Sequence, residues 1–152
     1  MKQNMMQLTV RDGPLRLALK GLAAAGTDMT PLMRAIAGTL STETAVNFEE
    51  EGRPPWVPSL AAQKRDGMTL SDTGHLRRSV TTDYDAHSAV IGTNVEYARI
   101  HQLGGTVERK SREVYYPARP YLPVNADGTL QDGVEQKLLN SALKYLQNAA
   151  RQ

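Results

Sequence analysis

The sequence predicts an α+β fold: a small antiparallel β-sheet with N-terminal helices and a C-terminal helix packed against it. Three observations predict it. Apolar residues recur at helical spacing in two long segments, one in the first third of the chain and one at its end. Short runs that alternate apolar and polar residues occupy the stretch between them, from about 80 to 116. Prolines and glycines punctuate the rest. The chain of 152 residues suits one ordinary domain, read as an N-terminal arm over 1–12 followed by a single domain over 13–152.

The elements follow in order. Asp12-Gly13-Pro14 has the form of a helix start, with Asp12 as N-cap, and Leu15, Ala18, Leu19 and Leu22 continue at helical spacing. Gly26 ends that segment. Thr30-Pro31 opens the clearest helix, from about Pro31 to Glu50, with Thr30 as the cap that accepts an orphan N–H. Leu32, Ile36, Leu40 and Phe48 mark its apolar face, with Met33, Ala37 and Thr44 beside them. It closes on Glu49-Glu50-Glu51, three carboxylates at the negative end of the helix dipole, which a nearby Arg53 or a partner is expected to offset.

Gly52, Pro54, Pro55 and Pro58 forbid regular structure around Trp56. Gln63 to Leu70 reads equally as an exposed segment or a short helix, and Ser71 to Gly74 as a turn. Leu76 to Val80 leads into a strand. Val80, Thr82 and Tyr84 alternate with polar neighbours, Asp83 to His87 turns the chain, and Ala89 to Thr93 returns as the second strand of a hairpin. Tyr97, Ile100 and Leu103 have helix-turn spacing before Gly104-Gly105. A charged hairpin loop then spans about 104–114, with Val114-Tyr115-Tyr116 as its returning strand. The segment 117–123 is held extended by Pro117, Pro120 and Pro123. A final helix is expected over about 129–149, with Leu130, Val134, Leu138, Ala142 and Tyr145 on one stripe.

Composition narrows the chemistry. The chain has no cysteine, which excludes disulfides, thiol catalysis and thiolate metal sites. Its net charge is +2, from 18 basic and 16 acidic residues, so charge alone does not demand nucleic acid. No apolar run approaches the roughly 20 residues that span a bilayer, and the start lacks the apolar stretch of a secretory signal. A place in the cytoplasm until assembly is the expectation.

His75, His87 and His101 lack metal-ligand spacing, and no HExxH pattern occurs. No nucleophile elbow, phosphate-binding loop or dinucleotide fingerprint is present. No catalytic residue, metal or cofactor is expected. What remains is surface. Arg77-Arg78 and Arg109-Lys110-Ser111-Arg112, with Tyr115 and Tyr116 near the second cluster, suit a protein interface, a nucleic-acid surface or a solvated tip. The interface is preferred, because a charged hairpin can dock on a complementary neighbour. Trp56 is read as a core plug before an interface anchor.

The order of the short blocks carries more than any one of them. Phe48 and Gly52 are followed by Pro54-Pro55-Trp56-Val57-Pro58-Ser59-Leu60, then Thr73-Gly74-His75-Leu76-Arg77-Arg78-Ser79 and Val90-Ile91-Gly92-Thr93. Tyr97-Ala98-Arg99-Ile100-His101-Gln102-Leu103-Gly104-Gly105 then precedes Pro117-Ala118-Arg119-Pro120-Tyr121-Leu122. In this arrangement the sequence resembles the phage virion morphogenesis, or tail-completion, family of Mu-like phages.

The resemblance implies a non-enzymatic α+β subunit that completes or terminates the tail and enables head–tail joining, as a ring, a homohexamer, at the neck of the virion. The implied partners are other copies of the chain, tail-tube or tail-end proteins and head-completion or connector proteins. Weak, non-specific contact with DNA in the channel is also implied, and no membrane. Expected interface residues are Trp56, Arg77, Arg78, Tyr97, His101, Gln102, Arg109, Lys110, Arg112, Arg119 and Tyr121. Tyr97, His101 and Gln102 are expected to lock the turn before the hairpin, and Arg119 to pair with an acid within Glu49–Glu51 or on a neighbour. The competing function is a basic DNA-binding or packaging accessory. A peptidoglycan-acting tail enzyme fits least, for want of a carboxylate site.

Overall fold

Helix signals dictate the first elements. The computed structural model describes residues 13–150; the proposed arm over 1–12 and the Asp12 cap lie outside them. Helix α1 covers Gly13–Ala24 and α2 covers Thr30–Glu49. Proline occupies the first turn of α2 as its fixed φ permits. The cap is not Thr30, which already lies inside the helix. Asp28 instead accepts from the Thr30 backbone N–H at 3.0 Å and from its hydroxyl at 2.8 Å. Two hydrogen bonds to the Asp28 carboxylate outweigh the single one expected of Thr30.

The middle of the chain is made of short elements. Helix α3 is Leu60–Lys64, capped by Ser59, whose hydroxyl accepts from the Ala62 N–H at 3.1 Å. The segment expected to lead into a strand forms α4, His75–Ser79, instead. Gly74 adopts φ 75° before it, and the strand starts two residues after it ends. Strands β1 (Thr81–Tyr84) and β2 (Ala89–Gly92) then pair antiparallel, from Thr81 opposite Gly92 to Tyr84 opposite Ala89.

Helix α5 is Ala98–Leu103, resolving the ambiguous stretch as helical. Strands β3 (Gly105–Arg109) and β4 (Arg112–Tyr116) form the second hairpin, so the stretch 104–114 expected as a loop is mostly strand, and only Lys110-Ser111 makes the turn. The α+β class stands, but the strands divide into two separate two-stranded ribbons where one small sheet was expected. Residues 93–104, including α5, connect β2 to β3, which belong to different ribbons.

The last helix, α6, is Val134–Ala150 and starts later than the apolar stripe suggests. Leu130 has the right phase, yet it forms a β-bridge with Val124. Asp127 closes the turn before it by accepting from the Thr129 N–H and hydroxyl. Gly133 at φ 85° then separates that turn from the helix.

Helix α2 is the spine. Its first half joins Leu22 of α1 and Val134, Leu138 and Ala142 of α6 in one apolar cluster. Its last turn brings Phe48 to a second cluster with Trp56, Leu76, Ala98, Tyr121 and Leu122. Between the two, α2 buries Glu43 and Asn47. Burial of this kind requires partners, because a lone buried charge is costly. Glu43 accepts from Arg53 at 2.7 Å and from Lys137 of α6.

Candidate functional site

The site rests on a buried network that fixes the proline-rich segment. Gln102 of α5 is fully buried. Its carbonyl oxygen accepts from the N–H groups of Tyr121 and Leu122, both at 3.0 Å, and its amide donates to the Val124 carbonyl at 2.9 Å. Tyr121 donates its hydroxyl to the Ala98 carbonyl at 3.0 Å, and burial pushes that hydroxyl far above the usual phenol range. Trp56 donates to the Pro120 carbonyl at 3.0 Å and meets the Phe48 ring edge-on. From the other side Asn47 donates to the Tyr121 carbonyl and to Gln131, both at 2.9 Å. Prolines remove N–H donors from this segment, so side chains supply the pairing that a strand partner would give.

A cleft of about 360 Å³ opens beside this network, lined by Leu70, His75, Tyr97, His101, Tyr116 and Arg119, among others. Its rings meet in a chain: His75 to Tyr97 at 6.3 Å, Tyr97 to His101 at 5.8 Å, His101 to Tyr116 at 5.9 Å. Arg119 is 6% exposed. It does not pair with Glu49–Glu51. Its Nε donates to the Val57 carbonyl at 2.7 Å, and no carboxylate pairs with it among the described residues.

Those carboxylates are engaged elsewhere. Glu49 pairs with Arg77 at 3.0 Å, and Glu51 accepts from the Thr69 N–H at 2.8 Å. Arg53, expected near this run, turns back to Glu43. Burial, then the positive charges of Arg119 and Arg109, hold His101 below the ordinary histidine range. Its Nδ1 is buried without a hydrogen-bond partner among the described residues. The cleft is thus ring-lined, with Arg119 in its wall and a second arginine, Arg65, paired to Asp72 at 3.6 Å.

The β3–β4 ribbon stands at the edge of this cleft, joined to it through Tyr116. Gly104 makes the junction possible. It adopts φ 72°, and a Cβ there would sit 2.7 Å from the Ala118 backbone nitrogen. From Glu108 to Glu113 every ribbon residue is exposed, and Tyr115 is 72% exposed. Arg109 lies over the Tyr116 ring at 5.8 Å.

The expected interface residues therefore fall into four groups. Tyr97, His101 and Arg119 come together around the cleft, and Arg109, Lys110 and Arg112 on the ribbon. Trp56, Gln102 and Tyr121 are buried and serve the scaffold of the isolated chain. Gln102 does not lock the turn before the hairpin; it locks residues 121–124 across from α5. Arg77 and Arg78 do not join the ribbon's charges. Arg77 is tied to Glu49, and Arg78 donates to the Thr73 carbonyl at 2.9 Å.

Sequence reasoning missed Asn47, Glu43 and Gln131. The first two carried a signal, since Ile36, Leu40, Glu43 and Asn47 continue one helical stripe. Gln131 carried none. Among the described residues, no group of three histidine, aspartate or glutamate side chains could hold a metal ion, and no helix is long and apolar enough to cross a membrane.

Comparison with known proteins agrees with the family resemblance of the sequence. The chain is similar to "Putative capsid assembly protein G" of Escherichia phage Mu, at 33% identity over 159 aligned positions covering 97% of each protein. It is also similar to "Mu-like prophage FluMu G protein 2" of Haemophilus influenzae, at 47% identity over 105 residues, 69% of this chain and 73% of that protein. "Mu-like prophage FluMu G protein 1" of the same organism is 30% identical over 115 residues, 68% of this chain and 71% of its own. No solved structure matches the chain. The model of the phage virion morphogenesis family matches residues 10–147. The chain belongs to that family, and its work is in the assembly of phage particles.

Proposed function

We propose that this chain completes the end of the phage tail and enables the filled head to join it, as one subunit of a closed ring, a hexamer, at the neck. The observation that carries the reading is the pairing of a rigid base with an exposed arm. Buried hydrogen bonds from Gln102, Trp56 and Asn47 hold residues 120–124 in one conformation. The β3–β4 ribbon beside them exposes charges that form no ion pair within the described chain. A preordered segment loses little conformational freedom on docking, and a charged arm gives register and partner choice. Contacts of one patch on a different patch of the next copy close into a ring when the rotation permits. The relative in phage Mu carries the words capsid assembly in its name, which supports a place where head and tail meet. The role is structural, and the partners are other copies, tail-end proteins and the head connector.

The competing reading is a DNA-binding or packaging accessory. Arg109, Lys110 and Arg112 would then contact phosphate, and affinity for duplex DNA would fall steeply as salt rises. Glu108 and Glu113 on the same ribbon oppose it.

Electron microscopy of particles made with this gene disrupted decides between them. Filled heads beside unjoined tails are expected, or tails with abnormal ends. Joined, normal particles would overturn the role, and empty heads would point to packaging.

A further inference from the structure

In an antiparallel ribbon successive side chains point to opposite faces, and directly opposed residues share a face. The register of β3 and β4 sets Thr106 opposite Tyr115 and Glu108 opposite Glu113. The alternate pairs are Val107 with Val114 and Arg109 with Arg112. One face of the tip is therefore acidic, with Tyr115 on it, and the other is basic. The Arg109 guanidinium over the Tyr116 ring agrees with this division, because Tyr116 shares the Arg109 face. The loop is Lys110-Ser111, with φ 50° and 63°. Positive φ at both central residues is the mark of the type I′ turn, which matches strand twist and pins the register. Slippage therefore does not relieve the like charges.

Both charged pairs are unfavourable in the isolated chain, since like charges directly opposed destabilise a ribbon. All four residues are exposed, and none forms an ion pair among the described residues. A surface bearing one sign on one side and the other sign on its reverse is complementary to itself, head to tail.

We propose that the two faces of the β3–β4 ribbon are the two halves of a contact between copies of this chain. The acidic face of one copy's ribbon, with Tyr115, seats on the basic face of the next. The inference rests on the ring reading and names the ring's internal contact. Glu108 and Glu113 meet Arg109 and Arg112 of the adjoining copy, and Tyr115 offers an aromatic face to a guanidinium there. Two different patches in contact make a heterologous interface, the kind that closes into a ring. DNA would engage the basic face alone and leave the acidic face unmatched, whereas a second copy matches both. The opposed charges set register and neighbour, while the bodies supply the rest of the buried area.

Complementation of a gene-disrupted phage tests this with three full-length variants and their melting curves. Variant one is Glu108→Lys with Glu113→Lys; variant two is Arg109→Glu with Arg112→Glu; variant three carries all four exchanges. Each double variant has like-charged faces and should lower the infective titre by about 100-fold or more, from like-charge contacts across the interface. Variant three inverts both faces and should return the titre to within about 10-fold of wild type, as should co-expression of the two double variants.

Variant three as defective as the doubles, with unchanged melting, overturns the proposal in favour of a contact with a different protein. Full activity of both doubles overturns it outright. Loss with variant two alone points to nucleic acid. If a double variant melts early, co-expression still decides, since a misfolded subunit is not rescued by its charge opposite. All of these outcomes differ from failure of the ring reading, which shows as joined particles in the absence of the gene.

Discussion

At the scale of single residues, hydrogen-bond satisfaction decides more than hydrophobicity. Gln102 satisfies two N–H groups and one carbonyl in a segment where prolines prevent strand pairing. Gln102→Leu keeps the volume and leaves those three groups buried and unpaired. Each such group costs roughly 1–3 kcal/mol, so the variant should lose about 3 kcal/mol or more, read as a lower urea midpoint. If its midpoint matched wild type, residues 121–124 would be held by packing alone. Arg119 shows how residue-level reasoning from sequence goes astray. An arginine suggests a carboxylate partner, but here a backbone carbonyl takes the Nε and burial lowers the guanidinium's proton affinity.

At the scale of elements, α2 is amphipathic in an unusual sense, for its buried face changes from apolar to polar and back. Glu43 sits at the change. Burial alone would raise its carboxyl, but hydrogen bonds from Lys137 and Arg53, with their charges, bring it below the ordinary value. The folded value is thus depressed relative to the unfolded chain. The resulting stabilisation is complete above the ordinary carboxylate value and is lost as pH falls through the lower folded one. Glu43→Gln should therefore lower stability by about 1–2 kcal/mol near neutral pH, since the carboxylate is buried but Arg53 is only partly buried and Lys137 is exposed, which discounts its share. It should also flatten the acid limb of the stability curve. Urea midpoints measured from about pH 7 to pH 3 check both; an acid limb identical to wild type would remove Glu43 from the account.

At the scale of the whole molecule, the proposed interface predicts that stability and assembly are separable, because they would use different residues. The two apolar clusters and the polar waist hold the body, while the tip of the β3–β4 ribbon buries little. Replacing residues 108–113 by a short turn should leave the unfolding free energy within about 0.5 kcal/mol, as for surface changes generally. The same variant should fail to complement a gene-disrupted phage. A strongly destabilised variant would show that the ribbon belongs to the body's core.

Much of this was legible from sequence, for identifiable reasons. The two long helices announced themselves through apolar residues three and four apart, and the first hairpin through alternation around a polar turn; the charges from Glu108 to Glu113 masked β3, whose residues read as loop. His75–Ser79 was misread because five residues are too few for a period to show. The start of α6 was misread because Leu130 is in phase with the stripe, although the Asp127–Thr129 turn removes it from the helix. The block from Tyr97 to Gly105 followed by Pro117 to Leu122 announced the family, and the structure gives the reason for their association. Gln102 in the first block hydrogen-bonds the backbone of the second.

By itself, then, the sequence determined the long helices, the first hairpin, the α+β class and the family, all of which depend on neighbours a few residues apart or on block order. Only the tertiary structure decided that the strands form two ribbons, that Asn47 meets Gln131, and that Tyr97, His101 and Arg119 line one cleft. Those outcomes depend on which distant groups satisfy one another once water is excluded, and no local period encodes such a pairing.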